Sequence, residues 1–539
     1  MPNEQNTGNN RQFFSTDHTI DSQRCACRCI DCIKGINWNT STHNIMDREY
    51  ITQLRKALAN AFQGIRWFAL NHLIPSTQQI IHFISEVLIT VWKSFEEKDH
   101  SYKAEFTSGN DTLSTSNHGY VIDGRRKQPS KTDLMHLIVT GQSGAGKSTV
   151  CVMNSINEVH GTKIIVDPST ELYAATAGYL ASKGYRIKVI HFGNPSISDG
   201  YNPFERIHNS TDAQKVASML VRNVLKNQGD AFWALSATSL LTLIIRALKY
   251  QPKQYQHFAN VRNVLQLLSA NPKAADALIA QTGDIQIINE YKSSFLANDL
   301  KLRQSIVATV SAALSLWSDP YVAKITSVDT LNVEEFRAKP TALYIQCPSS
   351  DAAFYSPLVS ILFEQLAKEV MDRLPKPNDL NIYFILDEFS SLYIQSIGTI
   401  ISQIRKHRAS LMLICQDLSQ ITDNYGQAQS TAILANCYSK LYFSGVSHAT
   451  AVNLSSQLGK FEYTDKHSKS NSRHIRNLLE PSEIRTLPKG KAIFIHGNSQ
   501  PILIDTTPIY KHPYWKLRLQ IQPPVLKSPL PDGEPFLTQ

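Results

Sequence analysis

One short stretch constrains this chain more than any other. Gly141 to Thr149 reads GQSGAGKST and is entered through the apolar run His136-Leu137-Ile138-Val139-Thr140. Gly141, Gly146, Lys147 and Ser148 complete the pattern G-x-x-x-x-G-K-[ST], with Gly144 inside it and Thr149 closing it. Small residues let a backbone wrap closely round a phosphate, and the amide N–H groups that open the following helix favour its negative charge. In that arrangement Lys147 reaches the outer phosphates and the Ser148 hydroxyl sits on magnesium. Thr149-Val150-Cys151-Val152-Met153 can open the helix. The stretch therefore reads as a nucleotide site, and it demands a strand before it and a helix after it.

The rest of the chain supplies the strands. Thr162–Val166, Ile187–Phe192, Ala342–Gln346, Asn381–Leu386 and Ser410–Cys415 are short apolar runs, and helical segments such as Glu171–Ser182 lie between some of them. Strands alternating with helices imply right-handed crossovers and a mainly parallel sheet, with ligands at the carboxyl ends of the strands. The run ending at Leu386 delivers Asp387 and Glu388. Two successive acids beside a phosphate loop suit magnesium-nucleotide hydrolysis, Asp387 on the metal and Glu388 polarising the attacking water. The run ending at Cys415 delivers Gln416, whose amide can bond a terminal phosphate. Asp167 ends another run and has two open readings, facing the nucleotide or capping the helix after Pro168. Arg405-Lys406-His407-Arg408 closes an apparent helix from Gly398. One arginine there can reach a neighbouring subunit's phosphate, and the others can line a basic channel.

At 539 residues the chain has room for roughly two to four domains. Hydrophobic residues at 42% and charged ones at 18% set it among globular proteins. A net charge of +9 permits a polyanionic partner without requiring one. Residues 1–49 form a polar tail without an apolar leader, and Cys25, Cys27, Cys29 and Cys32 crowd together within it, too close for an unstrained tetrahedral zinc site. Residues 50–96 read as an amphipathic helical hairpin. Polar residues interrupt it before it reaches the roughly twenty apolar residues that a membrane span needs. Its two open roles are packing on itself or a partner and lying at a membrane surface. Residues 97–131 have low apolar content and read as a linker that carries the basic run Arg125-Arg126-Lys127. The nucleotide-binding domain then occupies 132–210 and 326–510. It is split by an all-helical insert, 211–325, that includes Ala231–Tyr250 and Leu302–Trp317. Residues 511–539 form a Pro-rich tail, extended from Gln522 onward.

With these residues in view, the chain resembles the TraG/TraD-like coupling ATPases of type IV secretion and conjugation. HLIVTGQSGAGKST, the YNPF junction, FILDEFSSL, RKHRASLMLICQDLSQITDNYG and LLEPSEIRTLPKGKAIFIHGNSQPI carry the likeness in order across roughly Thr132 to Ile509. The resemblance implies a RecA-like P-loop ATPase core with an inserted all-α domain, assembled as a homo-hexamer that uses ATP and magnesium. It implies Lys147 and Ser148 on phosphate and magnesium, Asp387 and Glu388 as metal-binding and water-activating acids, and Gln416 as sensor. Arg405 is the implied arginine finger, with Arg408 its close competitor. Implied partners are type IV secretion channel components and a relaxase–DNA complex or protein effectors. Two departures stand out. The family commonly has a lysine–glycine pair after the aspartate–proline, where this chain has Ser169-Thr170, and relatives usually begin with a transmembrane hairpin. The expectation is a cytoplasmic protein in peripheral contact with the bacterial inner membrane. A soluble hexameric DNA translocase and a nucleotide-gated docking scaffold are the alternatives.

Overall fold

The computed structural model describes residues 103–225, 231–464 and 473–531. The Cys25–Cys32 cluster and the 50–96 hairpin lie outside the described residues. In chain order the strands are β1 (Leu137–Thr140), β2 (Thr162–Val166), β3 (Arg186–His191), β4 (Thr341–Gln346), β5 (Ile382–Leu386) and β6 (Ala409–Cys415). They continue with β7 (Ser439–Phe443), β8 (Lys460–Thr464), β9 (Arg473–Asn477), β10 (Lys491–His496) and β11 (Ile502–Asp505). One sheet runs in the order β11-β10-β7-β1-β6-β5-β2-β4-β3, and β8 and β9 form a separate hairpin. From β7 to β3 every pairing is parallel, while β10 and β11 add an antiparallel margin. The strands β1, β2, β4, β5 and β6 are buried along their whole length. That is why they read as continuous apolar runs rather than alternating ones.

Sheet position explains the site. The phosphate loop follows β1, and the next strands in one direction are β6 and then β5. With Leu137 opposite Met412 and Ile382 opposite Ala409, all three strands end at the same edge.

Helices fill the chain from Ser210 to Ile325. Ala231–Leu248 is, among the described residues, the one helix long and apolar enough to cross a membrane. Its Leu240, Leu241, Ile244, Ile245 and Leu248 are buried in the hydrophobic core, so it does the work of a core helix. The chain's outgoing and returning passes are tied together. Tyr201 N–H donates to the Ile325 carbonyl (2.9 Å) and Thr330 N–H to the Gly200 carbonyl (3.1 Å). Buried Arg206 pairs with Asp329 and, through Nε at 2.9 Å, with Glu369.

Two segments differ from the sequence expectation. Residues 103–131 are not a linker. Leu113 is 2% exposed, and Tyr120, Val121 and Ile122 are wholly buried against the core of the sheet. A few large side chains anchor a stretch whose average composition is polar. Its basic run is partly spent in ion pairs, Arg126 with Asp123 and Lys127 with Glu158. The C-terminal residues 511–531 carry no helix or strand from Gln522 onward, in keeping with the prolines, but they pack against the core. Trp515–Gln520 packs on the helix Glu171–Ser182, and a Cβ at Gly178 would stand 2.0 Å from the Ile521 carbonyl oxygen. Farther on, Ser528 Oγ donates to the Ser198 carbonyl at 2.8 Å. Extended backbone is held here as a strap.

Candidate nucleotide site

The loop after β1 turns through residues in left-handed conformations, Gly144 at φ 76° and Gly146 at φ 105°, which glycine reaches without steric cost. Lys147–Val152 follows with wide helical turns, Met153 N–H bonding to the Ser148 carbonyl, and runs on into the helix Met153–Glu158. Its amide dipoles face the loop. Lys147 Nζ donates to the Gly141 and Gln142 carbonyls at 2.5 and 3.1 Å. Burial pulls the ammonium pKa down, and the charges of Asp387, Cys415 and Glu388 partly restore it.

A cavity of about 1240 Å³ opens over the loop. It is lined by Gly144, Gly146, Lys147, Ser148, Thr149, Asp387, Glu388 and Gln416, eight of the residues singled out from the sequence. Gly141 packs beneath, where a Cβ would stand 2.7 Å from Phe443 Cβ. Asp387 has its pKa raised to about 7, first by burial and then by the negative charges of Asp167 and Glu388, against the pull of Lys147. Glu388 is exposed and stands at φ 54°, a conformation that costs a non-glycine residue about 1–3 kcal/mol and clusters at functional sites. Ser390 Oγ bonds Gln420 Oε1 at 3.0 Å and Asn424 Nδ2 donates to the Leu392 carbonyl at 2.7 Å. The backbone after Glu388 is thereby fastened to the helix Leu418–Asn436.

Asp167 takes the capping role. Its carboxylate accepts the Leu172 and Tyr173 N–H groups at 3.2 and 2.8 Å, and Gln346 Nε2 donates to it at 3.3 Å. Ser169 reaches the cavity wall, while Thr170 stands at φ 60°. That backbone conformation is one a glycine would adopt without strain.

Arg405 is not brought to the cavity of its own chain. It precedes β6, and its guanidinium rests on the Met135 sulfur just before β1, 2.6 Å from Nη1. The length of β6, about 20 Å, separates it from Gln416. Arg408 lies at the same end, at φ 52°, and Nη1 donates to the carbonyls of Lys376, Pro377 and Asp379. Its donors serve the backbone.

The donor set fits a hydrated divalent cation. Ser148 offers a hydroxyl and Asp387 a carboxylate whose charge is poorly compensated by the protein, and no cluster of three or more His, Cys, Asp or Glu occurs among the described residues. Magnesium in phosphate sites is held by one or two protein groups, water and the phosphates themselves.

Wall residues from the C-terminal third, Lys489, Gly490, Thr506, Tyr510 and Lys511, went unread in the sequence as site residues. The signal available was the pair of short apolar runs Lys491–His496 and Ile502–Asp505 around Gly497-Asn498, which place those residues on the phosphate-loop edge of the sheet.

A family model described as type IV secretory system conjugative DNA transfer matches residues 90–530. The chain belongs to that family. It is 24% identical over 427 residues to Protein VirD4 of Rhizobium radiobacter, covering 74% of this chain and 60% of that one. It is 23% identical over 448 residues to conjugal transfer protein TraG of Escherichia coli, covering 73% and 70%. The chain spans less than two thirds of the length of the VirD4 proteins it matches. The fold of the family is the RecA-like α/β core found here. The trigonal form of the conjugative coupling protein TrwBdeltaN70 with sulphate superposes at a TM-score of 0.59, with 19% identity over 75% of this chain and 95% of that one. TrwB with ADP and Mg2+ gives 0.58, with 18% identity over the same shares.

Proposed function

We propose that this chain is a type IV secretion coupling ATPase, a homo-hexamer that takes up DNA in a relaxase complex, protein effectors, or both, and delivers them to a secretion channel. One observation carries the reading. Lys147, Ser148, Asp387, Glu388 and Gln416, far apart in sequence, line one cavity at the carboxyl ends of three adjacent strands. Solved relatives in complex with an ATP analogue and with ADP and Mg2+ support the choice of ATP and magnesium.

Lys147 exchanges its loop carbonyls for the outer phosphate oxygens, while Ser148 and Asp387 hold the cation. When bound, magnesium neutralises charge on the outer phosphates. Glu388 accepts the proton of the attacking water, and Gln416 donates its amide to the terminal phosphate. Arg405, remote from its own cavity, acts on the neighbour's nucleotide. Residues 132–210 and 326–510 form the catalytic domain, 211–325 the insert, and the chain works in peripheral contact with the cytoplasmic face of the bacterial inner membrane.

The experiment is a cargo trap. A Glu388→Gln variant should bind ATP, hydrolyse it poorly and retain DNA or protein cargo that the wild type releases. Absence of nucleotide-dependent cargo retention in cells that carry the secretion genes would overturn the coupling role.

A further inference from the structure

The cavity has two sides, and only one of them holds the acids. From β1 the sheet runs to β6 and β5 in one direction, carrying Gln416, Asp387 and Glu388. In the other direction it runs to β7, β10 and β11. The β10 pairing, Ala492 opposite Phe443, brings the start of β10 to the phosphate-loop edge, and Thr506 N–H bonds to the Gly490 carbonyl at 2.7 Å. The turn Ile509–Lys511 then packs on the helical segment Lys147–Val152. A triphosphate whose terminal group faces Asp387 and Glu388 must point its nucleoside toward this opposite wall. The distance from β1 to β10, two strand spacings or about 10 Å, is one that a ribose and base can cover.

Among the described residues Tyr510 is the one aromatic side chain in the lining, and it is 54% exposed. Its chain neighbours hold it in place. Ile509 is fully buried, the His512 ring stacks on Trp515 with centroids 4.6 Å apart, and Arg518 pairs with Glu158 at 2.6 Å. The strap thus fixes the backbone at residue 510 while leaving its ring at the surface of the cavity.

We propose that Tyr510 is the stacking platform for the nucleobase, contributed by the C-terminal strap. This rests on the nucleotide reading above. A ring face presents no hydrogen-bond pattern to the base edge, so it recognises a flat base by area and favours purines over pyrimidines.

Equilibrium binding with the full chain tests it, with ATP and inorganic tripolyphosphate as probes, each with magnesium. Tyr510→Ala should weaken ATP roughly 5- to 100-fold and leave tripolyphosphate unchanged, the range that base–aromatic stacking spans. Tyr510→Phe should bind ATP as the wild type does. Wild-type ATP affinity in Tyr510→Ala, or an equal loss for both probes, overturns the platform while leaving the phosphate site standing. A wild-type protein that binds neither probe overturns the nucleotide reading itself, and Tyr510's role with it.

Discussion

The amino and carboxyl ends of the strands both carry ionisable residues, in opposite conditions. At the amino ends, cations are used up by backbone carbonyls. Lys163 donates to Gly161 at 3.0 Å beneath the Tyr185 ring, and Arg337 donates to Leu380 at 3.0 Å and His407 at 2.5 Å. His136 accepts Leu411 N–H at Nδ1 and bonds the Ile401 carbonyl through Nε2, and burial holds its pKa down at about 4. At the carboxyl ends, burial and neighbouring acids raise the Asp387 pKa to about 7, Glu388 is strained and exposed, and Lys147 has only loop carbonyls to satisfy it. One end closes its hydrogen bonds within the protein. The other keeps charge ready for a ligand, as a binding site must.

Paired substitutions test that contrast most severely. Lys147→Ala should abolish ATP turnover with little change in thermal stability. Arg337→Ala, which strands buried carbonyls and leaves a void, should destabilise the protein by about 3–5 kcal/mol. Purified-enzyme turnover alongside thermal melts would show it, and a melting loss in Lys147→Ala as large as in Arg337→Ala would erase the distinction.

Arg405 departs from this pattern, exposed and with no hydrogen bond to a carbonyl among the described residues. If it serves the neighbouring subunit, Arg405→Ala should bind ATP, assemble and lose roughly 10³–10⁵ in turnover. Mixing it with Lys147→Ala should then recover part of the activity. Arg408→Ala should lose stability instead. Recovery seen with Arg408→Ala and not with Arg405→Ala would move the role by three residues.

Glu388→Gln keeps size and backbone but removes the base. Turnover should fall at least ~100-fold with ATP binding intact, measured by single-turnover hydrolysis and equilibrium binding. Wild-type turnover would assign the base elsewhere.

Asp387 should impose a pH dependence. Its pKa rises from 3.8 to about 7 on folding, so between those values the folded state binds the extra proton and stability falls as pH rises. A magnesium nucleotide must displace that proton. Affinity should therefore drop by up to about tenfold per unit below pH 7, with proton release visible by calorimetry in buffers of different ionisation heat. Asp387→Asn should bind more weakly and without this slope.

Thr170→Gly should have the smallest effect, stabilising the protein by about 1 kcal/mol in denaturant titrations by relieving the left-handed backbone. No gain would mean that the turn absorbs the strain.

The sequence disclosed whatever rests on a local pattern. The phosphate loop is a contiguous signature, and β1, β2, β4, β5 and β6 are continuous apolar runs because both their faces are covered. The helix Glu171–Ser182 has the limits that its pattern indicates. What stayed hidden depends on distant partners. β11 is an apolar run only four residues long, alternately buried and exposed at the sheet margin, so its pairing with β10 is set by a distant partner rather than by its own pattern. Tyr120 is a core residue because Ser410, hundreds of positions away, meets its hydroxyl at 3.1 Å. Asp167 has two readings in the sequence, and what decides between them is the convergence of the Leu172 and Tyr173 N–H groups on its carboxylate. Likewise, nothing in the residues around Arg408 announces the carbonyls of Lys376 to Asp379.

The stitched passes at Gly200–Arg206 and Ile325–Leu331 give the lineage latitude. With both ends of the helical block fastened to one another by backbone bonds and the Arg206 ion pairs, the sheet experiences the whole block as a single closed loop. Closure entropy grows only with the logarithm of loop length, about 0.6 kcal/mol for each doubling. Evolution, or an engineer, can therefore lengthen or shorten the connections within the block at little entropic expense to the catalytic frame, so long as the clasp at their base and the helices that share its hydrophobic core are kept.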